Sequence, residues 1–268
     1  MCALRLIGFQ RTLVYIHGWD AATATHLYKS YFLRRMTAWL LNGASLVTVL
    51  APAFKTHLEL CGVDPDRIIT THVMYDEEVL KVSAGMTAPT RRSVLFLSRL
   101  EPAKGIYDLL KAFARLANDF PDVDLIFAGS GDEKVRLQTE IDSLGLSERV
   151  KVLGSVADDV KVQCLCDCTI FTLPTRYGEG MPAVLLEALA AGKPVLTSRV
   201  GGIPTIIRDP DNGVLLDDVT DTTIEQGLRR LLNDPETCAN TGKRNALYAA
   251  ENFEAANVTQ KIETMIDA

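Results

Sequence analysis

Glu179 and Glu187 stand eight positions apart in RYGEGMPAVLLEALAAGKPVLTS, residues 176–198. Two such carboxylates can share the acid and base work on one bond, hold the hydroxyls of one ligand, or charge the face of a surface helix. The residues around them favour the second role. Pro182 suits the first turn of a helix, where its missing N–H is harmless, and Gly192 suits the helix end. Glu187 then lies on the second turn and Glu179 in the loop before it. At a rise of roughly 1.5 Å per residue the carboxylates are on the order of 10 Å apart. The pair in a retaining glycoside hydrolase wants about 5 Å. Between them is a helix N-terminus, whose free N–H groups and partial positive charge bind anions. Gly178 and Gly180 let the backbone come close to a ligand. A phosphate at the helix start, with a hydroxyl-rich group near each carboxylate, is the layout of a nucleotide sugar.

A second cluster agrees. SRLEPAKGI puts Arg99 at the end of a strand and Lys104 at the start of the next helix. Two cations on one rim would neutralise a diphosphate as its charge develops. The plainer reading is a surface arginine and a helix-end lysine. Other patterns point away from chemistry. Cys164, Cys166 and Cys168 form C-x-C-x-C with no histidine nearby, and read as small buried residues at a helix-to-strand junction, not a zinc site. Gly129 and Gly131 lack the third glycine of a dinucleotide fingerprint and read as a tight turn. Asp64-Pro65-Asp66, Asp122-Val123-Asp124 and Asp209-Pro210-Asp211 abut turns or strand starts, where aspartate caps and bends chains. We therefore expect no metal and no cofactor.

The elements that must position these residues are legible. β-branched runs at 93–99, 123–129, 149–154, 168–174, 193–198 and 212–216 alternate with helical patterns such as GIYDLLKAFARLANDF and PAVLLEALAAG. This βαβα order implies a parallel sheet covered by helices on both faces. Earlier, TLVYIHG and SLVTVL read as strands joined by a helical stretch over about 25–42, followed by a helix at APAFKTHLELCG and a strand at DRIITTH. Periodicity fades over 76–92. The expected plan is a partial N-terminal Rossmann-like domain (1–75), a linker (76–92), a C-terminal domain (93–250) and a final helix (251–268) packing back on the N-terminal domain.

The chain has 268 residues, 47% hydrophobic and 23% charged, an ordinary globular composition. No apolar run reaches the roughly 18 residues that span a bilayer, and the N-terminus does not read as a signal peptide. Scattered cysteines define no disulfide framework. The expected compartment is the cytoplasm. Residues 1–60 carry Arg5, Arg11, Lys29, Arg34, Arg35 and Lys55 against Asp20 and Glu59, a net of +4 in a chain of net −6. That imbalance suggests a phosphate-bearing acceptor or peripheral contact with the inner face of a membrane; a helix with a basic solvated face explains it equally. No nucleic-acid partner is expected.

SRLEPAKG together with GEGMPAVLLEALAAGKPVLTSRVGGIPTII resembles the GT-B glycosyltransferases of the large retaining group called family 4. FAGSGDE and VKVLGSV sit where that family has matching strands. The resemblance is strong over roughly 93–218 and looser over 12–75. It implies two Rossmann-type doubly wound parallel-sheet domains, the N-terminal one incomplete here. It implies transfer of a sugar from a nucleotide-diphospho-sugar to a hydroxyl of a glycan or lipid-linked acceptor, with retention, in polysaccharide or glycoconjugate biosynthesis. Carried over by position, Glu187 would bind the donor ribose and Glu179 the hydroxyls of the transferred sugar. Arg99 and Lys104 would hold the diphosphate, with backbone groups from Gly180, Met181, Pro182, Ala183 and Val184. The base would pack near Leu153 and Gly154. His17, in VYIHGWD, matches a histidine that faces the donor sugar in the family; a capping or core histidine is the plainer reading. Because the family's first strands and a glycine-rich loop have no counterpart here, a donor-binding subunit or an inactive remnant that needs a partner chain is the alternative. An epimerase or phosphorylase with the same two-domain fold is a third option.

Overall fold

The structure is a computed structural model that describes residues 12–16, 29–71, 91–178 and 180–267. Two parallel sheets organise them. Strands β1 (Leu13–Ile16), β2 (Leu46–Val49) and β3 (Ile68–Thr70) form the first, in that order. Helix α1 (Tyr31–Leu41) leads into β2, and α2 (Pro52–Cys61) joins β2 to β3. Val47, Val49, Leu58 and Ile68 close a small core between the sheet and α2.

The second sheet has six strands, in the order β6-β5-β4-β7-β8-β9. They are β4 (Arg92–Leu97), β5 (Val123–Ala128), β6 (Val150–Gly154), β7 (Ile170–Leu173), β8 (Val195–Ser198) and β9 (Gly213–Leu216). The connecting helices are α3 (Ile106–Leu116), α4 (Lys134–Ser143), α5 (Asp158–Asp167) and α6 (Ala183–Ala190), and α7 (Asp221–Asn233) and α8 (Pro235–Phe253) follow β9. Every ladder is parallel. The central strands are apolar on both faces, as sheets covered by helices require: Val94, Leu95 and Phe96 of β4 are all fully buried. Helix α3 shows why an amphipathic stripe docks. Ile106, Leu109, Leu110, Phe113 and Leu116 recur at helical spacing, and all are buried. Helix α8 passes α6 at a glycine crossing, where a Cβ on Gly242 would lie 2.1 Å from the Gly192 carbonyl oxygen. The last helix, α9 (Ala255–Asp267), lays Val258 and Ile262 against Leu46 and Ile69 of the first sheet.

The α/β doubly wound architecture expected from the sequence is what the chain adopts, with three strands in the first sheet among the described residues. Two details differ from expectation. β4 begins at Arg92, inside the stretch read as linker, because Arg92 anchors to Asp122 at 2.7 Å and to the Leu232 carbonyl at 3.0 Å. Pro182 is the N-cap of α6 and not a first-turn residue; its ψ is 115° and its carbonyl accepts from the Leu185 N–H at 3.0 Å.

Candidate donor-binding site

The six-stranded order makes a switch point. From β4 the chain winds outward through β5 and β6, then returns to lay β7 on the other side of β4. The chain therefore leaves β4 and β7 toward opposite edges of the sheet, and the C-terminal ends of these two strands are where open α/β sheets offer a ligand crevice.

Glycines and backbone bonds lock the walls of this crevice. Gly105, after β4, has φ +77°, and a Cβ there would lie 2.2 Å from the Pro174 carbonyl oxygen. The Arg176 N–H donates to the Ala103 carbonyl at 2.8 Å, so the β4 and β7 loops are joined. Gly202, after β8, donates its N–H to the Gly180 carbonyl at 3.0 Å, and a Cβ there would meet that oxygen at 2.0 Å. Gly129 and Gly131 pack the β5 loop on the β4 loop, with virtual Cβ contacts of 1.8 Å to the Ser98 oxygen and 2.3 Å to the Leu100 oxygen. The tight turn read at Gly129-x-Gly131 thus also serves close approach of two rim loops.

Lys104 lies in a short 3₁₀ turn, Pro102–Lys104, pressed under the β7 loop. It is only 5% exposed, so it is a buried cation at the end of that turn. Its Nζ sits 5.1 Å from the centroid of the Tyr177 ring, a cation–π arrangement. Among the described residues, no side chain caps the N-terminus of α6, which follows β7. The first N–H groups of a helix lack partners within it and can bind an anion. Met181 and Pro182 are buried and Ala183 is exposed.

Arg99 is on the same rim, exposed, and ion-paired to Glu101 at 2.6 Å. Glu187 reaches toward α5. Its carboxylate accepts from Lys161 Nζ at 3.1 Å. That bond uses one oxygen of a group that accepts several. Lys161 was missed from sequence, since one lysine in the first turns of ADDVKVQCLC has no local mark. Leu153 stands 42% exposed at the end of β6, beside Gly154 at φ +75°. Glu179 and His17 lie outside the described residues. The structure thus brings Lys104 beside the β7 loop, and Glu187 beside Lys161, while Arg99 is held by its own neighbour.

The remaining patterns have structural partners. Asp124 is buried between Arg91 at 2.8 Å and Arg149 at 3.2 Å, and these guanidiniums hold its carboxyl below the usual range. Asp64 accepts from the Asp66 N–H and pairs with Arg67, and Asp209 pairs with Arg230. Cys168 is buried at the α5–β7 junction, and burial pushes its thiol up to about 12. No cluster of three or more metal-ligating side chains occurs among the described residues.

The sequence profile of the family "Glycosyl transferases group 1" matches residues 85–247, the segment that builds this crevice. The chain belongs to that family. Among curated relatives, the N-acetyl-alpha-D-glucosaminyl L-malate synthase of Bacillus anthracis is 28% identical over 98% of this chain and 69% of its own length. The phosphatidyl-myo-inositol mannosyltransferase of Mycobacterium leprae is 36% identical over 47% of this chain and 33% of its own. Among solved structures, Anabaena Alr3699/HepE in complex with UDP shares the fold with a TM-score of 0.80 at 23% identity, over 99% of this chain and 74% of that one. The chain thus covers about a third to three quarters of the lengths of these three proteins.

Proposed function

We propose that the crevice between β4 and β7 binds a nucleotide-diphospho-sugar and that the chain is the donor side of a retaining hexosyltransferase. The observation that carries this is a buried cation, Lys104, and a helix N-terminus, that of α6, without a side-chain cap among the described residues, both on segments that follow the strands of the switch point. A diphosphate is the ligand class that such a pair would hold. Glu187 would accept the ribose hydroxyls on the oxygen that Lys161 leaves available, and the base would lie over Leu153 and Gly154. Arg99 would exchange Glu101 for a phosphate oxygen. Glu179 and His17 would address the transferred sugar. In the reaction the bond from the anomeric carbon to the diphosphate oxygen breaks and its electron pair leaves on that oxygen. An acceptor hydroxyl bonds to the same carbon and gives up its proton. Lys104, Arg99 and the helix N–H groups would stabilise the departing charge, so the proposal needs no metal or other cofactor. The acceptor would be a glycan or lipid-linked hydroxyl, in glycoconjugate or polysaccharide synthesis. Contact with a membrane surface through the basic first quarter would fit such an acceptor, and no helix among the described residues is long and apolar enough to cross a bilayer.

A donor of this class is consistent with the structural neighbour Alr3699/HepE, solved with UDP and with UDP-glucose. The test is a thermal shift of the chain against UDP, GDP, ADP and their sugar conjugates. A ligand at 100 times its Kd adds about 2.7 kcal/mol of stability. The reading predicts a shift with one nucleotide that Lys104→Ala abolishes; no shift with any nucleotide, from a chain that melts cooperatively, overturns it. A second reading is a donor-binding unit that needs another chain for transfer. It predicts nucleotide binding without turnover until a second chain is added.

A further inference from the structure

A second groove opens at the opposite edge of the six-stranded sheet. Asn245 marks its floor. Its Nδ2 donates to the Lys193 carbonyl at 2.8 Å and to the Asn212 carbonyl at 2.9 Å. Those residues precede β8 and β9, so the groove lies at the N-terminal ends of the strands, away from the donor crevice. Its volume is about 190 Å³, and Ile206, Arg208, Asp211, Arg244, Asn245 and Tyr248 line it.

Two features separate it from ordinary surface. Every other arginine between residues 91 and 253 pairs with a carboxylate. Arg208 and Arg244 do not, among the described residues, and both line this groove. Arg244 donates only to neutral acceptors, the Asp211 carbonyl at 3.0 Å and Thr241 Oγ1 at 2.9 Å. Arg208 is near the Tyr248 phenol: burial raises that hydroxyl's pKa and the Arg208 charge lowers it. Asp211 is exposed and pairs with neither arginine. The second feature is Asn245 Oδ1, a fully buried acceptor with no hydrogen-bond partner. Such an orphan costs free energy unless a donor reaches it.

We propose that this groove is a binding site for a small phosphate ester that carries hydroxyls. The phosphate would lie between the Arg208 and Arg244 guanidiniums, whose fork geometry matches phosphate oxygens. A hydroxyl of the ester would donate to Asn245 Oδ1, and its carbon skeleton would rest on Ile206 and the Tyr248 ring. The site is independent of the donor crevice and of the reading given to it.

The experiment is isothermal titration of the chain with ribose 5-phosphate, inorganic phosphate, ribose, and sodium chloride at matched ionic strength. It is repeated on Arg208→Gln and Lys104→Ala. Arg208 makes no side-chain hydrogen bond among the described residues, so its replacement should leave the fold intact. Expected is saturable binding of ribose 5-phosphate, weaker binding of inorganic phosphate, and none of ribose or chloride. The affinity should fall at least tenfold in Arg208→Gln and persist in Lys104→Ala. Loss in Lys104→Ala with retention in Arg208→Gln would assign the phosphate to the donor crevice and overturn the proposal. Absence of saturable binding to the unaltered chain overturns it too.

Discussion

Replacing Glu187 tests the donor geometry most sharply. Its carboxylate is 14% exposed and bound on one side by Lys161 at 3.1 Å. Removing it as Glu187→Ala leaves Lys161 with a side chain 26% exposed. That lysine can rehydrate, so the loss of the pair should cost about 1 kcal/mol of stability. The loss in nucleotide binding should be larger. Hydrogen bonds to a charged group are worth about 1.5–3 kcal/mol, which is roughly a 10- to 150-fold rise in Kd. A fold-wide effect would lower affinity for any nucleotide, so the assay is a cycle. Isothermal titration compares the preferred nucleoside diphosphate with its 2′,3′-dideoxy analogue, on the unaltered chain and on Glu187→Ala. If Glu187 holds the ribose, the deletion and the missing hydroxyls remove the same interaction, and the two losses do not add. Glu187→Ala should then bind both nucleotides equally. Additive losses would refute the placement of the ribose at Glu187 while leaving the phosphate position standing.

Three further outcomes follow from the same contacts. Gly105→Ala demands a positive φ and puts a methyl 2.2 Å from the Pro174 oxygen; urea unfolding should show a loss of about 2–3 kcal/mol, and nucleotide binding should weaken with it because Lys104 is adjacent. Asp124 has its folded pKa lowered by Arg91 and Arg149, so the unfolded chain binds more protons and stability rises with pH. This contribution is complete above the ordinary carboxylate pKa of about 3.9 and is lost as pH falls through the lower folded value; Asp124→Asn should cost about 2 kcal/mol at neutral pH and flatten the acid limb of a melting-temperature profile. Cys168, with its thiol at about 12, should resist iodoacetamide at pH 8 in the native chain and react once unfolded, read by mass spectrometry.

What the sequence determined by itself was the set of elements and the family. Alternation of apolar runs with helical periods marks strands and helices locally, because each pattern repeats within a few residues. So all six strands of the larger sheet were legible, as was Glu187 on the second turn of α6. Motifs that combine glycine, lysine and carboxylate at loop positions also carried the family. Only the tertiary structure decided what each charge meets. Nothing in SRLEPAKG says that Lys104 is buried under Tyr177, since that follows from β7 returning beside β4. The partner of Glu187 lies 26 residues away on α5, and Asp124 is gripped by arginines 33 and 25 residues distant. Arg208 and Arg244 share a groove because the segment before β9 meets the middle of α8. Such meetings depend on strand order and helix packing, and no local period encodes them.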